Sequence, residues 1–394
     1  MLSSAERAFV AEHLSSDPAQ LVLQAKRFPD LDVPKLAQQI RARQKAKAKL
    51  PTWAAHLDLV FPANLSVEQS SSELTATYKA RLVPGSTLAD LTGGFGVDSF
   101  YFAQQFRQVF YVERQAELAQ TVAYNYEQLG VQNIQVQQQQ AEDFLQQLPA
   151  PVDVLYLDPA RRGQSQERVH LLQDCEPDVL RLLPLLLQKS RAVLLKTAPM
   201  LDVDLALQEL TGVVHVWIVA VQNEVKEVLY LLQAQAPAAP LLTAVNLRPG
   251  QEPQEISFTK PAEEQATATF APEPLRYLYE PNTALLKAGA FKWLSQHYHL
   301  LKLHRNSHLY TSTELCEAFP GRIFEITAKP KANVKELHQL LPHKKANITV
   351  RNYPLTVAQL REKLKLKEGG ADYLFATTNM HNKPILLLCR KVEN

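Results

Sequence analysis

Residues 90–99 of this chain read Asp-Leu-Thr-Gly-Gly-Phe-Gly-Val-Asp-Ser, a glycine-rich bend between an apolar run and an amphipathic segment. Glycines at such a bend let the backbone approach a bound molecule closely, and the N-terminus of the following helix faces it. Asp90, Thr92, Gly94, Gly96 and Asp98 are therefore the expected ligand contacts. Seventeen residues past Gly96, the run Val109-Phe110-Tyr111-Val112 ends in Glu113. An acid at the tip of a second parallel strand can take both hydroxyls of a ribose. Glycine loop and spaced acid together imply a nucleoside-bearing cofactor.

A second constellation is Asp158-Pro159-Ala160-Arg161-Arg162, which ends another apolar run. Proline fixes such a turn, and its carbonyl is free to accept a hydrogen bond. Asp158 and that carbonyl can orient an amine, or Asp158 can take its proton. The competing reading is a plain strand cap. Arg161 and Arg162 suit a phosphate or a stacked base, against the alternative of surface ion pairs. After a third apolar run come Glu142 and Asp143. Asp143 is the first choice for a hydrogen bond to an adenine amine and Glu142 the alternative; for Asp143 a helix cap competes.

These residues need a scaffold that brings strand ends together. From Val83 to Gln235 strands and helices alternate, the pattern of a parallel sheet covered on both faces. The expected strands are Thr87–Asp90, Val109–Val112, Ile134–Gln137, Val152–Leu157, Ala192–Lys196, Val213–Val221 and Val228–Leu232. Between them, Ser99–Gln105, Ala116–Leu129, Asp143–Leu148, Asp174–Gln188 and Val203–Leu210 have helical periodicity. In an open sheet of this kind the ligand sits beyond the carboxyl ends of the strands, where the first and fourth flank the change in order. The last two strands are separated only by Gln222–Lys226. A parallel crossover needs a dozen or more residues, so this pair should be an antiparallel hairpin. Plain dinucleotide-binding sheets are parallel throughout. A terminal hairpin favours S-adenosyl-L-methionine over NAD.

Flanking regions differ in character. Residues 1–65 are expected to be helical, punctuated by Pro18, Pro29, Pro34 and Pro51, and 66–235 form the cofactor-binding domain. Residues 236–321 hold a proline-rich linker with a hairpin through Leu241–Asn246 and Glu255–Thr259. A small unit follows, with Asn282–Ser295 helical and Leu300–Leu303 extended. The last unit, 322–394, should carry strands near Arg322–Ala328, Ala346–Arg351, Tyr373–Thr378 and Ile385–Arg390, with helices Val334–Leu340 and Val357–Leu364.

Charge is unevenly spread. The whole chain of 394 residues carries +2, but from residue 320 onward there are 14 Lys/Arg against 6 Asp/Glu. Lys344-Lys345 through Arg351 and Tyr353, joined by Lys363, Lys365 and Lys367, makes a basic sheet edge with one aromatic. That surface suits RNA, the alternative being a well-solvated small domain. Arg41–Lys49 alternates basic with small residues and reads as a solvated helix end rather than a phosphate contact.

Three cysteines without metal or disulfide spacing, no signal segment and no long apolar run point to a cytoplasmic protein without a membrane partner. Cys175 is an incidental cysteine rather than a nucleophile for carbon methylation. His297, His299, His304 and His308 near Cys316 fit no zinc framework, so no metal is expected.

Asp-x-Thr-x-Gly-x-Gly-x-Asp-Ser, Tyr-Val-Glu and Asp-Pro-Ala-Arg-Arg together resemble a bacterial family of class I S-adenosyl-L-methionine-dependent methyltransferases with a C-terminal THUMP-like domain. Tyr279–Asn282, Lys287–Phe291, Asn306–Ser312, Phe319–Arg322 and Lys345–Pro354 are similar to the same family. The resemblance spans nearly the whole chain. It implies an α/β protein: a Rossmann-like methyltransferase domain with a seven-stranded sheet and terminal antiparallel hairpin, an N-terminal helical region, and small C-terminal α+β domains, ferredoxin-like and THUMP-like. It implies Asp158, Pro159 and Arg161 at the transfer site, and Asp90, Thr92, Gly94, Gly96, Asp98, Glu113 and Asp143 around the cofactor. The acceptor would be tRNA or rRNA held by residues 322–394, with Arg161 and Arg162 as further contacts. Thr92 stands where the first glycine of the usual loop falls. Arg161 stands where amine-methylating enzymes carry an aromatic that stacks on a flipped base. A protein or small-molecule acceptor, or RNA binding without catalysis, remains open on sequence alone.

Overall fold

The computed structural model describes residues 2–62, 70–161 and 172–392, so Arg162 lies outside the described residues. The chain divides into two compact units, Met1–Val216 with Glu227–Ala238, and Trp217–Lys226 with Ala239–Asn394.

The main sheet contains strands β1 (Thr87–Asp90), β2 (Gln108–Val112), β3 (Ile134–Gln137), β4 (Val152–Leu157), β5 (Ser190–Thr197), β6 (Val213–Val221) and β7 (Glu224–Leu232), of which β1 to β5 lie wholly in the first unit. Within a sheet of nine strands, two more than the seven expected, their order is β3-β2-β1-β4-β5-β7-β6. The first five run parallel, and β7 is antiparallel to β5 in the register Val193↔Leu232 to Thr197↔Val228. The order reverses beside β1, so a crevice opens between the ends of β1 and β4. The hairpin link is shorter than expected. Only Gln222 and Asn223 lie between β6 and β7, with φ of +50° and +67°. Two successive left-handed residues make the tight turn whose twist matches paired strands.

The N-terminal helices belong to this unit and buttress the glycine loop. Trp53, Phe61, Phe95, Tyr111, Val122 and Tyr126 share one buried cluster, with the Trp53 and Phe95 rings 5.0 Å apart. Burial of each such ring contributes roughly 2–3 kcal/mol, enough to hold the loop through Phe95. Arg43 corrects the reading of Arg41–Lys49 as a solvated end. It is buried on the helix Val33–Ala46, and its guanidinium donates to the carbonyls of Leu57 and Leu59 and to Gln39. Those carbonyls lie outside helix and strand, so a buried cation satisfies them.

In the second unit, β8 (Leu241–Leu247) and β9 (Gln254–Thr259) pair antiparallel. A further sheet comprises β10 (Tyr277–Pro281), β11 (Leu301–Lys302), β12 (Tyr310–Ser312), β13 (Gly321–Ala328), β14 (Asn347–Arg351), β15 (Asp372–Thr378) and β16 (Pro384–Lys391). Its order is β11-β12-β10-β13-β16-β15-β14, with β14 and β15 parallel and the other pairs antiparallel. The helix expected over Asn282–Ser295 is broken into Thr283–Ala288 and Lys292–His297 by Gly289, whose φ of +79° ends the first segment. Among the described residues no helix is long and apolar enough to cross a membrane.

Candidate active site

The loop after β1 is shaped from within. Asp90 is buried, and its carboxylate accepts the Thr92 N–H at 3.0 Å and the Ser99 hydroxyl at 2.6 Å. Burial pushes its pKa up to about 7, the charges of Asp98 and Asp158 adding to that while the Ser99 and Thr92 hydrogen bonds oppose it. Gly96, at φ +79°, caps the helix Val97–Phe102; a Cβ there would lie 2.3 Å from the Tyr126 hydroxyl. Gly94, at φ +53°, behaves differently: a Cβ would meet nothing nearer than the Thr92 carbonyl, 3.7 Å away. Its face is open, while its N–H donates to Glu113 at 3.1 Å and its carbonyl accepts the Tyr111 hydroxyl at 2.6 Å.

Glu113 ends β2 as expected. One carboxylate oxygen takes Gly94 and the other takes the Gln115 N–H at 2.9 Å. Each oxygen keeps a further lone pair, so the acid can accept two more donors. The loop is tied to β4 as well as to β2: Leu91 donates to the Tyr156 carbonyl at 2.9 Å, and the Asp158 N–H donates to the Thr92 hydroxyl at 2.6 Å. Direct hydrogen bonds thus join Gly94 to Glu113 and Thr92 to Asp158.

Asp98 has a different setting. Its carboxylate accepts the hydroxyls of Tyr156 at 2.7 Å and Ser71 at 2.8 Å and pairs with the buried Lys79 ammonium at 3.1 Å. Burial alone would raise its pKa, but Lys79 and then Lys196 reverse the direction, and it is held below the ordinary carboxylate value. Lys79 also donates to Ser71, Tyr156 and the buried Glu227 of β7.

Asp158 is one-third exposed and salt-bridged to Lys196, which is nearly buried at the end of β5. Burial would lower the Lys196 pKa, yet Asp158, Asp98 and Glu227 together raise it, so the ammonium stays charged. Lys196, Lys79, Tyr156 and Glu227 were not singled out from sequence. Lys196 closes an apolar run at the same level as Asp158 on the next strand, and that alignment is the one signal that could have found it. Pro159 follows partly exposed, and Ala160–Arg161 pairs with Cys175–Glu176 in a short antiparallel bridge. Asp143 is exposed in the first turn of the helix Ala141–Gln147, and Glu142 pairs with Arg181 at 3.5 Å.

The histidines are dispersed. His304 bonds Asn382 and Asn352, His297 stacks on Trp293 and His308 on Phe291. Among the described residues no three His, Cys, Asp or Glu side chains gather as metal ligands.

A sheet ordered β3-β2-β1-β4-β5-β7-β6 with an antiparallel seventh strand, and a glycine loop at the end of its first, define the class I methyltransferase fold. Residues 277–320 match a family profile described as a ferredoxin-like domain, and 321–391 one described as THUMP domain-like. A protein from Porphyromonas gingivalis W83, solved as a candidate methyltransferase, is 33% identical over 99% of this chain and 98% of its own, with a TM-score of 0.89. The chain therefore belongs to the family of class I S-adenosyl-L-methionine-dependent methyltransferases with C-terminal ferredoxin-like and THUMP-like domains. An rRNA methylase from Streptococcus thermophilus matches 41% of this chain and 95% of its own at 14% identity, TM-score 0.30. No curated protein sequence matches the chain.

Proposed function

We propose that this protein transfers a methyl group from S-adenosyl-L-methionine to a base in RNA, tRNA or rRNA, in the cytoplasm and without a metal. The observation that carries the reading is the Thr92–Asp158 hydrogen bond, which fixes the acceptor turn against the glycine loop. When bound, the cofactor supplies an electrophilic methyl group. Residues present fit it: Gly94 offers an open backbone face, and Glu113 beside it keeps lone pairs for two ribose hydroxyls. Thr92, Gly94 and Gly96 form the cradle. Asp90 and Asp98 shape it, since their carboxylates are engaged inside the protein. Asp143 is assigned to the adenine amine.

Asp158 and the Pro159 carbonyl orient the acceptor amine, Lys196 holding the Asp158 carboxylate in place. Arg161 serves a phosphate or base next to that turn. RNA is the favoured acceptor because Lys344, Lys345, Lys363, Lys365 and Lys367 are all exposed, and Lys345 and Lys367 are joined by a backbone bridge. Several lysines on one edge neutralise successive phosphates.

Calorimetric titration tests the cofactor: S-adenosyl-L-methionine should bind and NAD should not. The acceptor is tested by mass spectrometry of nucleosides from tRNA and rRNA of cells with and without the gene. One methylated nucleoside should disappear from the deletion strain; unchanged nucleosides would redirect the reading to another acceptor.

A further inference from the structure

Segments around residues 279–282, 319–322 and 345–354 take no part in the proposed transfer site, yet the second unit joins them through one buried carboxylate. Glu280 on β10 faces Arg322 on β13 as a direct cross-strand partner. Its side chain is 3% exposed. One oxygen takes the Arg322 guanidinium through Nε at 2.7 Å and through Nη2. The other takes Arg351, at the end of β14, through Nε at 3.0 Å and Nη2 at 2.9 Å.

We propose that Arg322 and Arg351, braced by Glu280, form a phosphate-binding clamp. One arginine would suffice to neutralise one buried carboxylate; here two converge and leave a net positive charge. Both use the Nε–Nη2 edge on Glu280, so the Nη1 groups have no acceptor among the described residues. A guanidinium carries five N–H donors in a rigid fork. The arginine side chains are 35% and 41% exposed, so the unused donors reach solvent while the brace does not. Fixing two such forks before the ligand arrives removes the side-chain entropy that free arginines would lose on binding. Lys302 and Arg351 both act on nearby His308, whose pKa is lowered to about 4, first by burial and then by these two charges. The ligand is a phosphate group, carried by an RNA strand or by a free phosphorylated molecule. This inference goes beyond methyl transfer, and its test contains no methyl donor, so either can fail alone.

The test is binding of inorganic phosphate and of a 12-nucleotide RNA to the full chain and to two variants. Arg351→Gln leaves the Glu280–Arg322 pair intact and should weaken phosphate binding roughly tenfold. Glu280→Gln adds a positive charge yet should also weaken binding, because the forks lose their brace. General electrostatic attraction predicts tighter binding for that variant, and that result overturns the clamp. Loss of RNA affinity in Arg351→Gln, with the salt slope reduced by about one, identifies RNA as the ligand. Loss of phosphate binding alone identifies a free phosphorylated molecule. Unchanged binding of both overturns the proposal. Should either variant fail to fold, phosphate must still protect Arg322 and Arg351 of the unmodified protein from phenylglyoxal, read by mass spectrometry. Equal modification with and without phosphate also overturns it.

Discussion

The hydroxyl of Thr92 accepts the backbone N–H of Asp158 at 2.6 Å, joining the loop after β1 to the turn after β4. A glycine at position 92 would leave that N–H without this partner. The departure from the usual glycine loop therefore has a structural purpose: the third loop residue is a tether, and it couples the ligand cradle to the residues assigned to the acceptor.

Thr92→Val should break the coupling while keeping the side chain's shape. The expected result is a fall in kcat of roughly tenfold, with cofactor affinity changed far less and stability reduced by about 1 kcal/mol. Thr92→Ser, which restores the hydroxyl, should recover most of the rate. Steady-state kinetics with a cofactor titration check this; a loss in Thr92→Ser with none in Thr92→Val would mean that the methyl group, not the hydrogen bond, matters.

Glu113 and Asp158 should separate cleanly. Glu113→Gln removes the charge that receives the Gly94 N–H and that is proposed to take two ribose hydroxyls, and should weaken S-adenosyl-L-methionine binding by at least about tenfold. Asp158→Asn should leave that affinity nearly intact and reduce turnover by two or more orders of magnitude, approximately what loss of a positioned polar group costs. Calorimetry and single-turnover rates together assign each residue to cofactor or acceptor.

The local signals that could be read from sequence were those whose cause is local. Glycine loop, spaced acid, apolar strand runs and the short link before β7 each follow from neighbours in the chain. Strand β10 did not, because Tyr277–Pro281 is five residues ending in proline, a weak strand signal that β13 and β12 stabilise from either side. Lys79 was equally hidden. A single lysine on the short helix Glu73–Ala80 reads as a surface residue, and only the arrival of Asp98 and of Glu227, 148 residues away, makes it a buried one.

Asp90 predicts an unusual pH response. Its folded-state pKa of about 7 lies above the unfolded value of about 4. Between those limits the folded protein keeps a proton that the unfolded chain has released, so stability falls as pH rises through this window. The cost is fully present above pH 7 and on the order of 4 kcal/mol. Asp98, held below its ordinary value, acts oppositely, adding stability that is lost only in acid. Asp90→Asn keeps the hydrogen-bonding shape without the charge. Its melting temperature should hold level between pH 5 and 8 where the parent protein's declines, and parallel profiles would show that Asp90 is already ionised at pH 5.

Lys79 supplies the sharpest test of the buried network. Its side chain is fully buried among Asp98, Glu227, Ser71 and Tyr156, and one Glu227 oxygen has no hydrogen-bond partner among the described residues. Removing one member of a buried ion pair strands the other charge, which costs about 3–5 kcal/mol. Lys79→Met should therefore lower stability by that amount in denaturant unfolding. Glu227→Gln in the same chain should return part of the loss, because the stranded carboxylate is gone. Asp98 remains, so recovery should be incomplete. Strict additivity of the two substitutions would mean that Lys79 and Glu227 do not interact, and that Asp98 alone is the partner of the lysine.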